Sequence, residues 1–520
     1  MARPRPGSDS PLSRLVRGVL KSMSTPIPLN DLLRRAGLNP VEGGEECLIT
    51  SVTQDSRRVR PGSLFLALPG NSRDGLEFVE DALARGAVAV AAPLPLGLGL
   101  PTVVLPEGRK SAALLAAACE GNPASSLDVY AVTGTNGKTS TCYFFEAILK
   151  EAGRRPGLVS TVANRTGGKE RASHMTTPPP EDLHAYFAQM KRSGLDSAVV
   201  EASSHALDQD RLAGIEFAHA AITNITREHL DYHRDLFSYR EAKARLPGLI
   251  RPGGALVMNL DDPHVAYFAD RCPEGVRFTG FTSRDRDDAL LAARLDGMTL
   301  DGMTMALRTA DGKSARLTTS LTGLHNKDNL LTAASLGLLA GIDLATIVRA
   351  LGRVEAPPGR LEEIAVHAGF RVFVDYAHTP DALEKVLGAL RSVAPRRLLL
   401  VFGCGGEKDR GKRPAMGRIA ECLADRALIT DDNPRGERPE AITDEIRAGV
   451  SNPGAMPYIR DRKEAIEAML SEARPGDVVL IAGKGHEGEQ IIQGRRIPHD
   501  DRAVVRAWRD ERERSIERAT

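Results

Sequence analysis

Aromatic residues are scarce. They form 4% of the 520 residues, with one tryptophan, Trp508, too few for the stacking platform that holds single-stranded nucleic acid. An excess of one charge is also lacking. Lys and Arg number 69 against 68 Asp and Glu, a formal net of +1, so no global field would hold nucleic acid or an anionic membrane. The six cysteines (Cys47, Cys119, Cys142, Cys272, Cys404 and Cys422) are widely scattered. They form no CxxC or other zinc spacing and no dense disulfide framework, which suits a reducing cytoplasm. No run of about 20 apolar residues occurs, so no transmembrane helix is expected. The N-terminal MARPRPGSDSPLSRLVRGVL is basic but lacks the apolar stretch of a signal peptide. Residues 1–22 read as a loose tail.

What is present is ordinary globular composition, 42% hydrophobic and 26% charged, which excludes a mainly disordered chain. At roughly 150 residues per domain, three or four domains are expected. Short β-like runs alternate with amphipathic helical stretches, the pattern of α/β domains with mostly parallel sheets. Two Gly/Pro-rich junctions, GNPAS (121–125) and VEAPPGR (354–360), divide the chain into segments 23–121, 122–353 and 354–520. The first contains SLFLALPG and AVAVAAP. The second opens on the strand LDVYAVTG and ends in two Ala/Leu-rich helices. The third alternates RVFVDYAH, RRLLLVFGCGG, RALITDDN and GDVVLIAGKGHE with helices, and ends in a highly charged one.

The strongest motif follows the strand LDVYAVTG: Gly134, Thr135, Asn136, Gly137, Lys138, Thr139 and Ser140. Glycines let backbone N–H groups curl around phosphate oxygens, Lys138 supplies a cation, and the Thr139 hydroxyl can reach Mg²⁺. The helix that follows adds the positive end of its dipole. The generic pattern wants a further glycine where Val132 stands, so this is a shortened GxxGKT loop. Glu201 ends the strand-like SAVVE, where an α/β sheet places site residues, and a carboxylate beside a triphosphate can hold Mg²⁺. His229 lies in NITREHLD after another strand-like run; alone it reads as a structural histidine. Lys243, in YREAKARL, alone reads as a solvated helix lysine. Asn326 and Asn329 open an Ala/Leu helix and suit capping as well as binding. Asp432, Asn433, Pro434 and Arg435 read as a turn, yet an arginine placed after a strand suits bidentate capture of a carboxylate.

The loop TGTNGKTS resembles the ATP loop of the Mur ligase family, which includes the folylpolyglutamate synthetases. Further segments are similar in the same order over about residues 50–505. The resemblance implies three α/β domains: a UDP-substrate domain, a central P-loop ATPase-like domain and a C-terminal Rossmann-like domain. It implies an ATP-dependent ligase of cytoplasmic peptidoglycan synthesis, acting as a monomer through an acyl phosphate. Its substrates would be UDP-N-acetylmuramoyl-L-alanyl-D-glutamate and meso-diaminopimelate. Residues 134–140 would bind ATP together with Asn326 and Asp375, the latter in FVDYAHTPD. Thr139, Glu201, His229 and Lys243 would hold Mg²⁺, with Lys243 carboxylated by CO₂, and Lys138 would be catalytic. Ser56, Asn71, Ser72, Arg73, Thr176, Thr177, Ser203, Gln209 and Arg211 match positions that bind the UDP-muramoyl-dipeptide. DNPR marks the diaminopimelate-adding members, and Gly483 and Glu487 match further contacts. One position departs: Lys408 stands where the family has a substrate-contacting arginine, with Arg410 two residues on. Lysine keeps the charge but not the planar fork, and either residue could take the contact. Two rival expectations are a folylpolyglutamate-type ligase and a P-loop switch without chemistry. DNPR and the UDP-binding segment stand against the first, and the Glu201, His229 and Lys243 set against the second.

Overall fold

The computed structural model describes residues 25–70, 73–168, 170–173, 175–226, 230–284, 286–394 and 396–519. The expected tail, 1–22, lies outside them, as do Asn71, Ser72 and His229.

Three sheets organise the chain, in agreement with the three-domain α/β class. The first has four parallel strands in chain order: Ser51–Thr53, Ser63–Leu66, Ala87–Ala92 and Thr102–Val104. The alanine run of its third strand is buried from Ala89 to Ala92, as a parallel strand covered on both faces requires.

The central sheet has eleven strands. From Pro156–Val159 to Leu291–Thr299 its neighbours run parallel, while hairpins at each end run antiparallel. Those hairpins depart from a purely parallel pattern because their connections are too short to cross over. At Leu300–Asp301 and at Ala310–Lys313 the chain reverses directly, helped by Gly302 and Gly312 in left-handed conformations (φ 133° and 83°). Helices Lys138–Glu151, Leu324–Leu339 and Leu344–Leu351 pack on one face of the sheet. Pro180–Arg192 packs on the other.

The third sheet runs in the order Glu362–Ile364, Arg371–Asp375, Val478–Ala482, Leu398–Phe402 and Arg426–Ile429. Only its first pair is antiparallel. No helix of the described residues is long and apolar enough to cross a membrane.

The position of one strand fixes the site. Asp128–Thr133 lies between Ser197–Glu201 and Phe217–Ile222, parallel to both. Their C-terminal ends therefore open on one edge, where ligands of such sheets bind.

The C-terminal helix is held by a buried ion pair. Arg462 and Asp501 are both 0% exposed and meet through two hydrogen bonds of 2.8 and 2.7 Å. Arg462 Nη2 also donates to the Ala482 carbonyl at 3.0 Å, and the His499 ring stands 2.8 Å from Asp501. Burial alone would raise the Asp501 carboxyl, but the Arg462 guanidinium holds it well below the usual range. The pair's contribution is therefore complete above the unfolded carboxyl pKa of about 4 and is lost as pH falls through the depressed value. Arg462→Met would strand a buried carboxylate at neutral pH and should cost about 3–5 kcal/mol. Trp508 sits on the helix this pair anchors and packs near Phe370, at 5.9 Å between ring centroids, so its fluorescence reports the transition in denaturant. A wild-type midpoint in the variant would show that the pair does not hold the helix.

Candidate active site

The phosphate loop owes its shape to two close approaches. Gly134 (φ 141°) follows the strand, and a Cβ there would lie 1.9 Å from Thr223 Oγ1. Gly137 (φ 85°) precedes the helix Lys138–Glu151, and a Cβ there would lie 2.0 Å from Asn329 Oδ1. Both positions demand glycine on conformational and steric grounds. Between them Asn136 is pinned on both main-chain sides. Its N–H donates to Asn224 Oδ1 at 3.1 Å, and its carbonyl accepts from Thr223 Oγ1 at 2.6 Å and Asn224 Nδ2 at 3.0 Å. Lys138 folds back, with Nζ donating to the Gly134 and Thr135 carbonyls at 3.0 and 2.6 Å. The loop forms one wall of a cavity of about 580 Å³. This backbone cradle, with a cation and a helix N-terminus behind it, fits a polyphosphate.

Glu201 stands directly behind Thr139. It is 1% exposed and accepts from Thr139 Oγ1 at 3.0 and 3.2 Å and from the Thr161 N–H at 2.9 Å. Both residues line the cavity and offer oxygen ligands suited to Mg²⁺. Among the described residues no group of three His, Cys, Asp or Glu is arranged to hold a metal. A metal here would thus draw further ligands from phosphate, water or a modified Lys243.

Lys243 ends the helix Leu236–Lys243, which Asp235 caps. Far from lying solvated on a helix surface, it is 1% exposed and lines the same cavity. Its Nζ donates to the Gly134 carbonyl at 2.7 Å and lies 4.6 Å from the centre of the Tyr239 ring.

Of the residues matched to the UDP substrate, Thr176 and Ser203 line the cavity. Thr176 Oγ1 accepts from Thr161 Oγ1 at 3.0 Å. Thr177 donates to the Glu201 carbonyl at 2.6 Å and accepts from the Ser203 N–H at 3.0 Å. Ser203 also caps the next short helix, accepting from the Ala206 N–H at 3.1 Å. Arg211 donates to the Thr177 carbonyl at 2.8 Å and through Nε and Nη2 to Gln209 Oε1. Burial and the nearby Arg109 pull its guanidinium below the usual pKa, which marks a basic spot where an anion would be welcome. Ser56 and Arg73 stand apart from the cavity. Ser56 is buried, while Arg73 reaches over Phe78 at 5.9 Å.

Asn326 and Asp375 also line the cavity. Asn326 Nδ2 donates to the Thr322 carbonyl at 3.0 Å, but the helix it opens is capped at Gly323 without a side-chain bond, so the expected capping role is not what the side chain does. Asp375 accepts from the Leu361 and Ala377 N–H groups at 2.6 and 2.7 Å. Burial raises its carboxyl to about 6, opposed by Arg360 and those N–H donors. Oδ2 thus braces the chain where it enters the C-terminal domain at Leu361, while Oδ1 fixes the turn after the strand at Ala377.

A second cavity, of about 550 Å³, lies in the C-terminal domain. Its wall includes Lys408, Asp432, Asn433, Arg435, Gly483 and Glu487. Pro434 stays out of the wall and packs its carbonyl against Gly406. Asn433 Nδ2 donates to Glu487 Oε2 at 2.9 Å, and the buried Lys484 donates to both residues at 3.1 and 2.8 Å. Arg435 is left-handed (φ 54°). Its N–H donates to the Ile491 carbonyl at 2.9 Å, and its own carbonyl accepts from the Gln493 N–H at 2.7 Å. Its guanidinium donates to the Gly406 carbonyl at 2.6 Å. Lys408 and Arg410 point in different directions. Lys408 lines the cavity, whereas Arg410 pairs with Glu445 on the outside. Glu445 and Glu437 also hold the fully buried Arg413.

The two cavities share Tyr376, His378 and Thr379 as walls. Sequence reasoning missed this partition, together with Arg360, which stacks over Tyr376 at 4.5 Å, and Thr161 behind Glu201. The only signal for the first was the polar run YAHTPD directly after Asp375.

Known proteins share this arrangement. The Mur ligase middle domain matches residues 132–337, the glutamate ligase domain of Mur ligases 359–485, and the catalytic domain of the Mur ligase family 48–104. A UDP-N-acetylmuramoyl-L-alanyl-D-glutamate–2,6-diaminopimelate ligase of Geobacillus thermodenitrificans is 43% identical over 472 residues, 89% of this chain and 95% of that protein. Its namesake from Chlorobaculum tepidum is 42% identical over 496 residues, 92% of this chain and 96% of that one. A solved structure of a ligase of the same name superimposes with a TM-score of 0.67 at 33% identity, covering 94% of this chain and 99% of that chain. Similarity of this extent along both partners leaves one assignment: the chain belongs to the Mur ligase family.

Proposed function

We propose that this chain is an ATP-dependent amide-forming ligase that joins meso-diaminopimelate to UDP-N-acetylmuramoyl-L-alanyl-D-glutamate in cytoplasmic peptidoglycan precursor synthesis. The observation that carries the reading is the shared wall. A phosphate-binding cavity and a pocket lined by Arg435, Asp432 and Glu487 meet at Tyr376, His378 and Thr379. That layout suits a reaction in which a carboxylate is phosphorylated on one side and attacked by an amine from the other. The proposed substrate segments divide as 23–121 for the UDP moiety, 122–353 for ATP and 354–520 for the amino acid.

In this mechanism the γ-phosphoryl group passes to the free D-glutamate carboxylate. The amine of diaminopimelate then attacks the acyl carbon, and phosphate leaves. Lys138, swung from its loop carbonyls onto the phosphates, and the N–H groups of the loop stabilise charge where it develops. Thr139 and Glu201 are the residues that would hold Mg²⁺, with the proposed carbamate on Lys243 and His229 completing the set. Bound there, Mg²⁺ would neutralise the transferring phosphoryl group. Thr176, Thr177, Ser203, Gln209 and Arg211 hold the dipeptide end of the substrate, and Ser56 and Asn71–Arg73 its UDP end. Arg435 and Lys408 would pair with the distal carboxylate of diaminopimelate, and Asp432 and Glu487 with its ammonium.

The direct test is ADP release with UDP-muramoyl-dipeptide and a panel of amino acids. Release should depend on added meso-diaminopimelate. Amino-acid-independent turnover would favour a nucleotide switch, and turnover on a folate with glutamate would favour a folylpolyglutamate-type ligase.

Two variants test the residue assignments. Lys243→Ala should be nearly inactive and should regain part of its turnover when a short carboxylic acid is added to replace the missing anion. Absence of rescue at every concentration would count against the carbamate. Arg435→Lys keeps charge but loses the fork, and Arg435→Ala loses both. A desolvated charge pair broken from one side costs about 3–5 kcal/mol, or roughly 10²–10⁴ in kcat/KM. The alanine variant should show that loss for meso-diaminopimelate with little change in KM for ATP, and the lysine variant a partial loss. A wild-type enzyme that used L-lysine as well as meso-diaminopimelate would remove Arg435 from the specificity argument.

A further inference from the structure

We propose that Asp381 is a positioning residue that fastens the C-terminal domain to the phosphate loop, so that domain closure and loop order are a single event. The kinetic consequence drawn below rests on the ligase reading above; the coupling itself rests on geometry alone.

One carboxylate oxygen, Asp381 Oδ2, receives three donors. Asn136 Nδ2 of the phosphate loop lies at 2.6 Å, Thr226 Oγ1 at 2.9 Å and Lys385 Nζ at 2.9 Å. The first two come from the central domain. The third lies one turn along Asp381's own helix, Pro380–Arg391, a spacing that steadies the carboxylate. The helix start is itself fixed, with Thr379 Oγ1 accepting from the Ala382 N–H at 3.3 Å and proline in its first turn.

What Asp381 grips is the cradle itself. The main chain of Asn136 is already bound to Thr223 and Asn224, and its side chain is what reaches across the domain boundary. Thr226 is tied to the loop as well: its N–H donates to Thr135 Oγ1 at 2.9 Å, and that hydroxyl is 3.2 Å from the Thr226 carbonyl. Asp381 therefore holds two segments of the cradle, the loop at 134–137 and the stretch at 223–226, at one point. Residues of its helix, among them Lys385 and Ala389, form the opposite wall of the phosphate cavity. A swing of the C-terminal domain must break both cross-domain bonds. Conversely, a disordered loop removes the donor that receives the closing domain.

The chemical stake is the fate of the acyl phosphate. When the domains are closed, the amine pocket abuts the acyl carbon. When they are open, water attacks the same carbon, the acyl–oxygen bond to phosphate breaks, phosphate leaves, and the carboxylate is regenerated with release of a proton. Loosening the latch should therefore raise the phosphate released per amide formed.

The test uses the full chain. Hydrogen exchange followed by mass spectrometry on peptides covering 134–140 and 223–226 needs no turnover. A hydrogen bond to a charged group is strong enough that its loss should speed exchange there about ten-fold or more. Asp381→Ala should show this with the first-domain sheet unchanged, and Asp381→Asn, which retains an acceptor, should show less. Thr226→Val removes a donor from the other side and guards against a variant that folds poorly. Combined with Asp381→Ala, it should add little, because both act on one contact. In turnover, the phosphate-to-amide ratio should rise in Asp381→Ala. Wild-type exchange rates at both segments in Asp381→Ala and in Thr226→Val would overturn the proposal. Faster exchange in an enzyme whose wild type ligates no amino acid would leave the latch standing and fail only the ligase reading.

Discussion

The approach of the glycine loop to the segment after the neighbouring strand governs the layout of this protein. Gly134 and Gly137 touch Thr223 and Asn329 so closely that neither position has room for a side chain. That contact brings together the ends of three parallel strands and the start of the helix Leu324–Leu339. Once it is made, Thr139 must face Glu201, Lys138 must lie over the loop carbonyls, and the buried Lys243 must sit beneath Gly134. Sheet order comes first and chemistry follows from it.

The second pocket is built by a different principle. Its polar residues hold one another: Asn433, Lys484 and Glu487 form a closed set, and Arg413 is enclosed by two glutamates. Such networks keep charged groups at fixed angles inside a domain whose two cores are otherwise apolar. Asp375 connects the two regions, since its side chain braces the chain at Leu361 while its carbonyl accepts from the Gly483 N–H at 3.0 Å.

How much of this could be read from the chain depended on distance along it. The strand, glycine loop and helix at 128–151 are contiguous, and their chemistry is written in seven adjacent residues. Alternating short strands and helices gave away the α/β class for the same reason. Lys243 was opaque, because a helix pattern says which face a residue occupies but not what covers it. Its burial depends on a strand more than a hundred residues upstream. Lys408 and Arg410 could not be separated either, since only the placement of Glu445 decides which one turns outward. The Asp381 contact with Asn136 spans 245 positions and joins two domains, and no local pattern encodes it.

Arg435 carries a consequence for how the second cavity can change in evolution. Its main chain, through Ile491 and Gln493, docks the hairpin formed by Glu489–Ile492 and Arg495–Pro498, while its side chain faces the cavity. Hairpin docking is therefore indifferent to the identity of the side chain, provided an N–H is present. The left-handed backbone narrows the choice, favouring glycine, asparagine and aspartate among replacements. Drift at this position would exchange a guanidinium for a small neutral or acidic group without dismantling the wall around it. Replacing this one residue would change the charge that the cavity presents, on a scaffold that does not have to be rebuilt.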